Sequence, residues 1–150
     1  MSTPTIQPTV KFKKIHPDAK IPTRGTQVAS GMDLYSVETI GLAPGTFHAV
    51  RTGLLIELPP GYEGQVRPRS GLAAKYGVTV LNSPGTIDED YRGEVKVILI
   101  NHGPSFFDIK AGERVGQLVV AQTSLWIQAE EVEQLSDSDR GDKGFGSTGR

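Results

Sequence analysis

From Val10 to Val132 strand-like pieces recur about every ten residues, most of them set off by glycine or proline, and several alternate apolar and polar side chains. This pattern constrains the fold more than any other feature. A period of two is that of a half-buried strand, and Gly and Pro supply turns while breaking helices. Val10–Ile15, Met32–Ser36, Thr46–Thr52, Leu54–Leu58, Gly64–Pro68, Val78–Leu81, Glu94–Ile100, Arg114–Gln122 and Trp126–Val132 read as strands. Within Glu94–Ile100, Val95, Val97 and Leu99 share one face, and Lys96, Ile98 and Ile100 share the other. Ser70–Tyr76 reads as the one helix, barely two turns long. Strands at this spacing predict an all-β sandwich or barrel. Eighteen glycines and ten prolines in 150 residues then serve as turn punctuation, because the rest of the composition is ordinary for a folded domain.

A chain of this length buries about two-thirds of its surface and forms one core without staples. Sixteen basic and seventeen acidic residues leave a net charge of -1. That argues against a duplex-coating nucleic-acid binder, which needs a net basic face, so phosphate chemistry here must rest on a few local cations. The absence of Cys excludes disulfides, thiolate zinc sites and thiol catalysis. No apolar run approaches the ~20 residues of a membrane span, and Met1–Val10 is unlike a signal peptide, so a soluble, cytoplasmic protein is expected. Composition changes after Leu135: Ser136–Arg150 holds four Gly, three Ser, three Asp and one large apolar residue, Phe145. We therefore expect a barrel over residues 1–135 and a flexible Gly-rich arm over 136–150. Such a segment cannot offset its ordering entropy by burial. It is either a frayed end or a lid that orders over an aromatic, phosphorylated ligand.

Several clusters carry chemical potential. Pro68-Arg69-Ser70-Gly71 sets a guanidinium, a hydroxyl and a glycine at the start of the short helix, where Ser70 is either an N-cap or part of an anion site. Gly85–Gly93 holds three acids between glycines; it is either a solvated hairpin loop or the carrier of a general base, Asp88. The spacing of those acids lacks the alternation of a calcium loop. Asp33 lies in an apolar strand and needs a partner, an Arg or waters around a divalent cation. Gln117 follows a turn and offers a neutral donor to a phosphate. His16, His48 and His102 lack metal-ligand spacing, and neither a nucleophile elbow nor a phosphate loop is present.

In order, ASGMDL, PRSGLAAKYGV, GTIDEDYRG, GERVGQ and RGDKGFGSTG resemble the five motifs of the trimeric dUTPase family, over about Ala29–Gly149. The resemblance implies a jelly-roll-like β-barrel and a homotrimer, with each active site built from several subunits and the arm reaching a neighbour's site. It implies hydrolysis of dUTP to dUMP and pyrophosphate by Mg²⁺-assisted attack of water on the α-phosphorus, which supplies the thymidylate precursor and keeps uracil out of DNA. Residue by residue, Asp88 resembles the base that activates the water and bonds the sugar 3′-hydroxyl. Tyr91 resembles the ring that packs under deoxyribose and leaves no room for a 2′-hydroxyl. Asn82 resembles the amide that reads uracil, an edge with both donor and acceptor. Gly85, Thr86, Ile87 and Lys96 belong to the hairpin whose backbone groups complete that reading. Arg69, Ser70, Gly71 and Gln117 resemble the phosphate-binding set. Arg140 resembles the residue that meets the terminal phosphate, Phe145 the one that stacks on uracil, and Gly146, Ser147 and Thr148 the closing arm. Mg²⁺ would ride on the triphosphate and waters without a direct protein ligand, with Asp33 at most orienting those waters. Neither nucleic acid nor membrane is expected as a partner. Two other readings remain open here: a dCTP deaminase-type member of the same superfamily, and a non-enzymatic β-barrel nucleotide-binding module.

Overall fold

The computed structural model describes residues 7–147. The strands are β1 (Lys11–Lys14), β2 (Gly31–Tyr35), β3 (Ile40–Leu42), β4 (Phe47–Glu57), β5 (Tyr62–Arg67), β6 (Val78–Val80), β7 (Gly85–Ile87), β8 (Glu94–Asn101), β9 (Phe107–Ile109) and β10 (Arg114–Gln122), and α1 spans Ser70–Tyr76. One sheet runs β1-β4-β8-β6, a second β2-β10-β5-β7, and β3 pairs with β9. The pairings within all three sheets are antiparallel, and chain neighbours are seldom sheet neighbours, so the strands wind into a jelly-roll-like barrel. The core lies between the two larger sheets. Val95, Val97 and Leu99 of β8 meet Leu34 of β2, Val66 of β5 and Val115 and Leu118 of β10 in one buried cluster. The period-two reading of β8 thus holds, with Lys96 left exposed on the other face.

Two segments read as separate strands, Thr46–Thr52 and Leu54–Leu58, are one strand, β4. Gly53 between them does not end it. The residue sits at φ +69 inside a register shift against β8, between Arg51 and Leu55. A Cβ at Gly53 would lie 2.6 Å from that of His16, so both the backbone and the space require glycine.

Trp126–Val132 is not a strand. The last strand ends at Gln122, and Trp126 stands 81% exposed within a turn closed by Ile127 N–H donating to Ser124 O. Alternation predicts a strand only where a sheet edge is offered, and none pairs with this segment within the described chain. The three-residue strands β3, β7 and β9 are too short for a period-two signal. α1 has the expected bounds, but its N-cap is Arg69, in an extended conformation, and Ser70 is the first helical residue. Neither supplies a capping hydrogen bond from its side chain. Gly77 closes the helix at φ 67, its N–H donating to Ala73 O.

Leu118 is fully buried between the sheets. Leu118→Ala should destabilise the chain by about 2–5 kcal/mol, read from urea unfolding at fixed protein concentration. A loss below that range would mean that the inter-sheet space collapses around the missing atoms.

Candidate functional site

A cavity of about 390 Å³ opens where β7 and the loop after it face β8. Asn82, Gly85, Thr86, Ile87, Asp88, Tyr91 and Lys96 of the expected set all line it. Its apolar wall includes Val66, Val95 and Ile98. The local sequence explains the convergence. β7 is short because the acid-rich run after Ile87 leaves the sheet, and β8 begins after Gly93. Gly85 is buried against Asn82; a Cβ there would lie 3.2 Å from the Asn82 amide nitrogen and 3.3 Å from Val66 Cβ. The glycine therefore lets the amide lie flat against the strand.

The loop from Asp88 to Glu94 is pinned along its length. Tyr91 N–H donates to Asp88 O at 3.1 Å, closing a turn that fixes the carboxylate and the ring relative to one another. Gly61 N–H donates to Glu89 Oε2 at 2.8 Å, tying the loop to the turn before β5. Arg92 Nη1 donates to Glu89 O at 2.7 Å. The Tyr91 hydroxyl donates to Glu94 O at 2.9 Å. Asp88 itself is exposed and lines the cavity.

The residues expected to bind phosphate, Arg69, Ser70, Gly71 and Gln117, do not line this cavity. Around the start of α1, Asp33 Oδ2 lies 3.5 Å from Arg114 Nη1 and Asp33 Oδ1 4.0 Å from Arg69 Nε. Arg69 Nη1 also donates to Arg114 O at 3.3 Å. Gln117 Nε2 donates to Pro68 O at 3.0 Å, and its side chain passes over Gly31, where a Cβ would overlap its amide oxygen. Asp33 thus has arginine partners. Three of the motifs meet here, in a cluster that shares no lining residue with the Asp88 cavity. Arg69 and Arg114 also border a second cavity of about 520 Å³ with Tyr35 and Tyr76.

The tail makes local contacts. Arg140 Nε donates to Lys143 O at 2.9 Å, and Gly141 N–H meets Ser138 Oγ at 3.1 Å. Phe145 is fully exposed, and neither it nor Arg140, Gly146 or Ser147 lines the Asp88 cavity. Thr148 lies outside the described residues. Among the described residues no group of three or more His, Asp or Glu could hold a metal ion, and no helix is long and apolar enough to cross a membrane. Glu94, Ala49, Val66, Val95 and Ile98 line the cavity without having been singled out from sequence. The apolar four look like ordinary core residues; Glu94 carried a signal, an acid opening an apolar strand directly after a glycine.

The dUTPase family model matches residues 17–149. The chain is 54% identical to a deoxyuridine 5′-triphosphate nucleotidohydrolase of Nautilia profundicola over 94% of its own length and 99% of the relative's. It is 53% identical to one from Clostridioides difficile, over 93% and 97% of the two chains. Its fold is similar to that of the Staphylococcus bacteriophage 80alpha dUTPase with dUPNHPP, at a TM-score of 0.87 and 27% identity, covering 95% and 99% of the two chains. Barrel, cavity and relatives together define an all-β nucleotidohydrolase. Within that class, the chain belongs to the dUTPase family.

Proposed function

We propose that this protein hydrolyses dUTP to dUMP and pyrophosphate in the cytoplasm, supplying dUMP for thymidylate synthesis and keeping uracil out of DNA. The observation that carries the reading is the convergence of Asn82, Asp88 and Tyr91 on one cavity. Asn82 has both a donor and an acceptor for the uracil edge, and main-chain groups of Gly85, Thr86, Ile87 and Lys96 complete it. The Tyr91 ring packs under the sugar and excludes a 2′-hydroxyl. Asp88, bonded to the 3′-hydroxyl, takes a proton from water as that water attacks the α-phosphorus. The bond from the α-phosphorus to its bridging oxygen breaks, and pyrophosphate leaves with the electron pair.

Arg69, Ser70, Gly71 and Gln117 hold the phosphates through charge-assisted and neutral hydrogen bonds. The working enzyme on this reading is a homotrimer that sets one subunit's cavity against another's cation cluster, and the absence of this set from the lining of the Asp88 cavity in one chain supports a site shared between subunits. The arm of residues 136–150 then closes the site: Phe145 on uracil, Arg140 on the terminal phosphate, Gly146, Ser147 and Thr148 over the chain of phosphates.

The donor set suits a magnesium ion brought in on the triphosphate. The Asp33 carboxylate is partly exposed beside two guanidiniums and can accept from water on such an ion. When bound, magnesium neutralises phosphate charge.

The test is a panel of dUTP, UTP, dCTP and dTTP assayed for pyrophosphate with and without Mg²⁺. Only dUTP with Mg²⁺ should turn over efficiently. Ammonia from dCTP would instead identify a deaminase, and no turnover of any substrate a binding module. Tyr91→Ala should lower the ratio of dUTP to UTP turnover even as dUTP activity falls. An unchanged ratio would place ribose rejection elsewhere.

A further inference from the structure

Glu94 opens β8 and lines the cavity of Asp88 and Tyr91, yet its carboxylate is engaged on the wall. Both oxygens accept from Arg51 Nε, at 3.1 and 3.2 Å, and Oε1 also accepts from Gly53 N–H at 3.0 Å. Its side chain is only 13% exposed. These donors sit in the β4 irregularity, where the register passes from Arg51↔Lys96 to Leu55↔Glu94, four residues on β4 against two on β8. The ladder is interrupted there, and the carboxylate supplies the acceptor that Gly53 N–H lacks from a strand.

Arg51 is held from its other side, its N–H donating to Glu38 Oε2 at 3.0 Å. Burial acts to raise the Glu38 pKa, but the Arg51 N–H, the His48 ring and the positive charges of both residues outweigh it and hold the carboxyl below its ordinary value. The main-chain oxygen of the same Glu94 receives the Tyr91 hydroxyl. One residue therefore joins the barrel wall to the aromatic ring. The Asp88–Glu89 end of the loop has its own anchor at Gly61.

We propose that Glu94, gripped by Arg51 and Gly53 across the β4 bulge, is a positioning residue that sets the height of Tyr91 in the cavity and thereby the discrimination between deoxyribose and ribose nucleotides. The inference rests on the reading that the cavity takes dUTP. Releasing Glu94 loosens the ring more than Asp88, because Glu89 keeps its separate tie. The effect should therefore fall on selectivity more than on dUTP kcat.

The experiment compares kcat/KM on dUTP and UTP for the native enzyme, Glu94→Ala, Glu94→Gln, Tyr91→Phe and the double variant Glu94→Ala/Tyr91→Phe. Glu94→Ala removes the side-chain acceptor of Arg51 Nε and Gly53 N–H and leaves the main-chain oxygen that takes the Tyr91 hydroxyl without its anchor, which predicts a fall of about 3–10-fold in the dUTP:UTP ratio. Glu94→Gln keeps an acceptor for Gly53 N–H and should recover most of it. In the Tyr91→Phe background the further effect of Glu94→Ala should vanish, since the hydroxyl bridge is already gone. An unchanged ratio with a lowered melting temperature would overturn the proposal and leave Glu94 a staple of the bulge. So would an equal effect with and without the Tyr91 hydroxyl. If Glu94→Ala does not fold, Arg51→Gln, which releases the carboxylate from its main donor, carries the same comparison with and without the Tyr91 hydroxyl.

A native enzyme inactive on dUTP would overturn the functional reading instead. The ¹⁹F resonance of fluorotyrosine at position 91, assigned by its loss in Tyr91→Phe, then decides the geometry. A shift in Glu94→Ala upholds the grip on the ring, and no shift overturns it.

Discussion

Asp88→Asn is expected to reduce dUTP turnover at saturation by about 10²–10⁴-fold, the usual range for losing a general base. Substrate binding should change little, because the amide is nearly isosteric and loses only the ability to take a proton. The surrounding loop should not move. Its turn uses the main-chain oxygen of Asp88, its anchor to the barrel is the Glu89 carboxylate, and its far end is held at Glu94. None of these involves the Asp88 carboxylate. Steady-state pyrophosphate release, paired with an equilibrium titration of a non-hydrolysable dUTP analogue, separates chemistry from binding. Near-native turnover in this variant would remove Asp88 from the role of base and send the search to another proton acceptor.

The outcome also bears on how much of the molecule could be read from the chain. β8 was legible because one face is buried on the core, so alternation marks it directly, whereas in β10 a register shift between Arg114 and Gly116 breaks the period and the apolar run marks the strand instead. α1 was legible because Pro68 precedes it and Gly77 takes the left-handed conformation that stops it. β3, β7 and β9 were not, since three residues give no period and their existence depends on partners distant in sequence. The run from Trp126 to Val132 erred the other way, because propensity does not say whether a partner strand is at hand. In the candidate site, Asp88 was read from its acid-rich loop and Tyr91 and Asn82 from the resemblance to the family's motifs, and the structure brings the three to one cavity. Glu94's partners were not legible: Arg51 lies 43 residues away, and their meeting depends on the β4 irregularity and its register. The separation of the Arg69 and Gln117 cluster from the Asp88 cavity was likewise invisible locally, because proximity of motifs in space is a property of the barrel.

That separation makes the arm the most demanding test of the assembly. Truncation after Leu135 should leave the unliganded melting temperature nearly unchanged and almost abolish dUTP turnover. The first half follows from the contacts: the backbone hydrogen bonds of Gly141, Lys143 and Ser147 all stay within the tail, and Phe145 is fully exposed at φ 50. Removing it takes no apolar surface from the core. The second half follows from the chemistry of the arm. Stacking of an aromatic on a base is worth about 1–3 kcal/mol, or roughly 5–150-fold in binding. In the proposed closed state Arg140 would add a charge-assisted bond to the terminal phosphate, at the expense of breaking its present bond to Lys143 O. Four glycines, at 141, 144, 146 and 149, make the free arm expensive to order, so a ligand offering both a base and a triphosphate is needed to fix it. Phe145→Trp should accordingly give fluorescence that quenches with a non-hydrolysable dUTP analogue and Mg²⁺ and much less with dUMP, with the native protein supplying the Trp126 background. Mixing the truncated protein with Asp88→Asn then asks where the arm goes. If the protein assembles as the proposed homotrimer, each variant alone should be inactive, one lacking arms and the other lacking the proposed base. A mixed trimer in which an intact arm crosses to an intact Asp88 should recover part of the native rate. Mixed trimers shown by mass to form, yet without activity, would confine each arm to its own subunit's site.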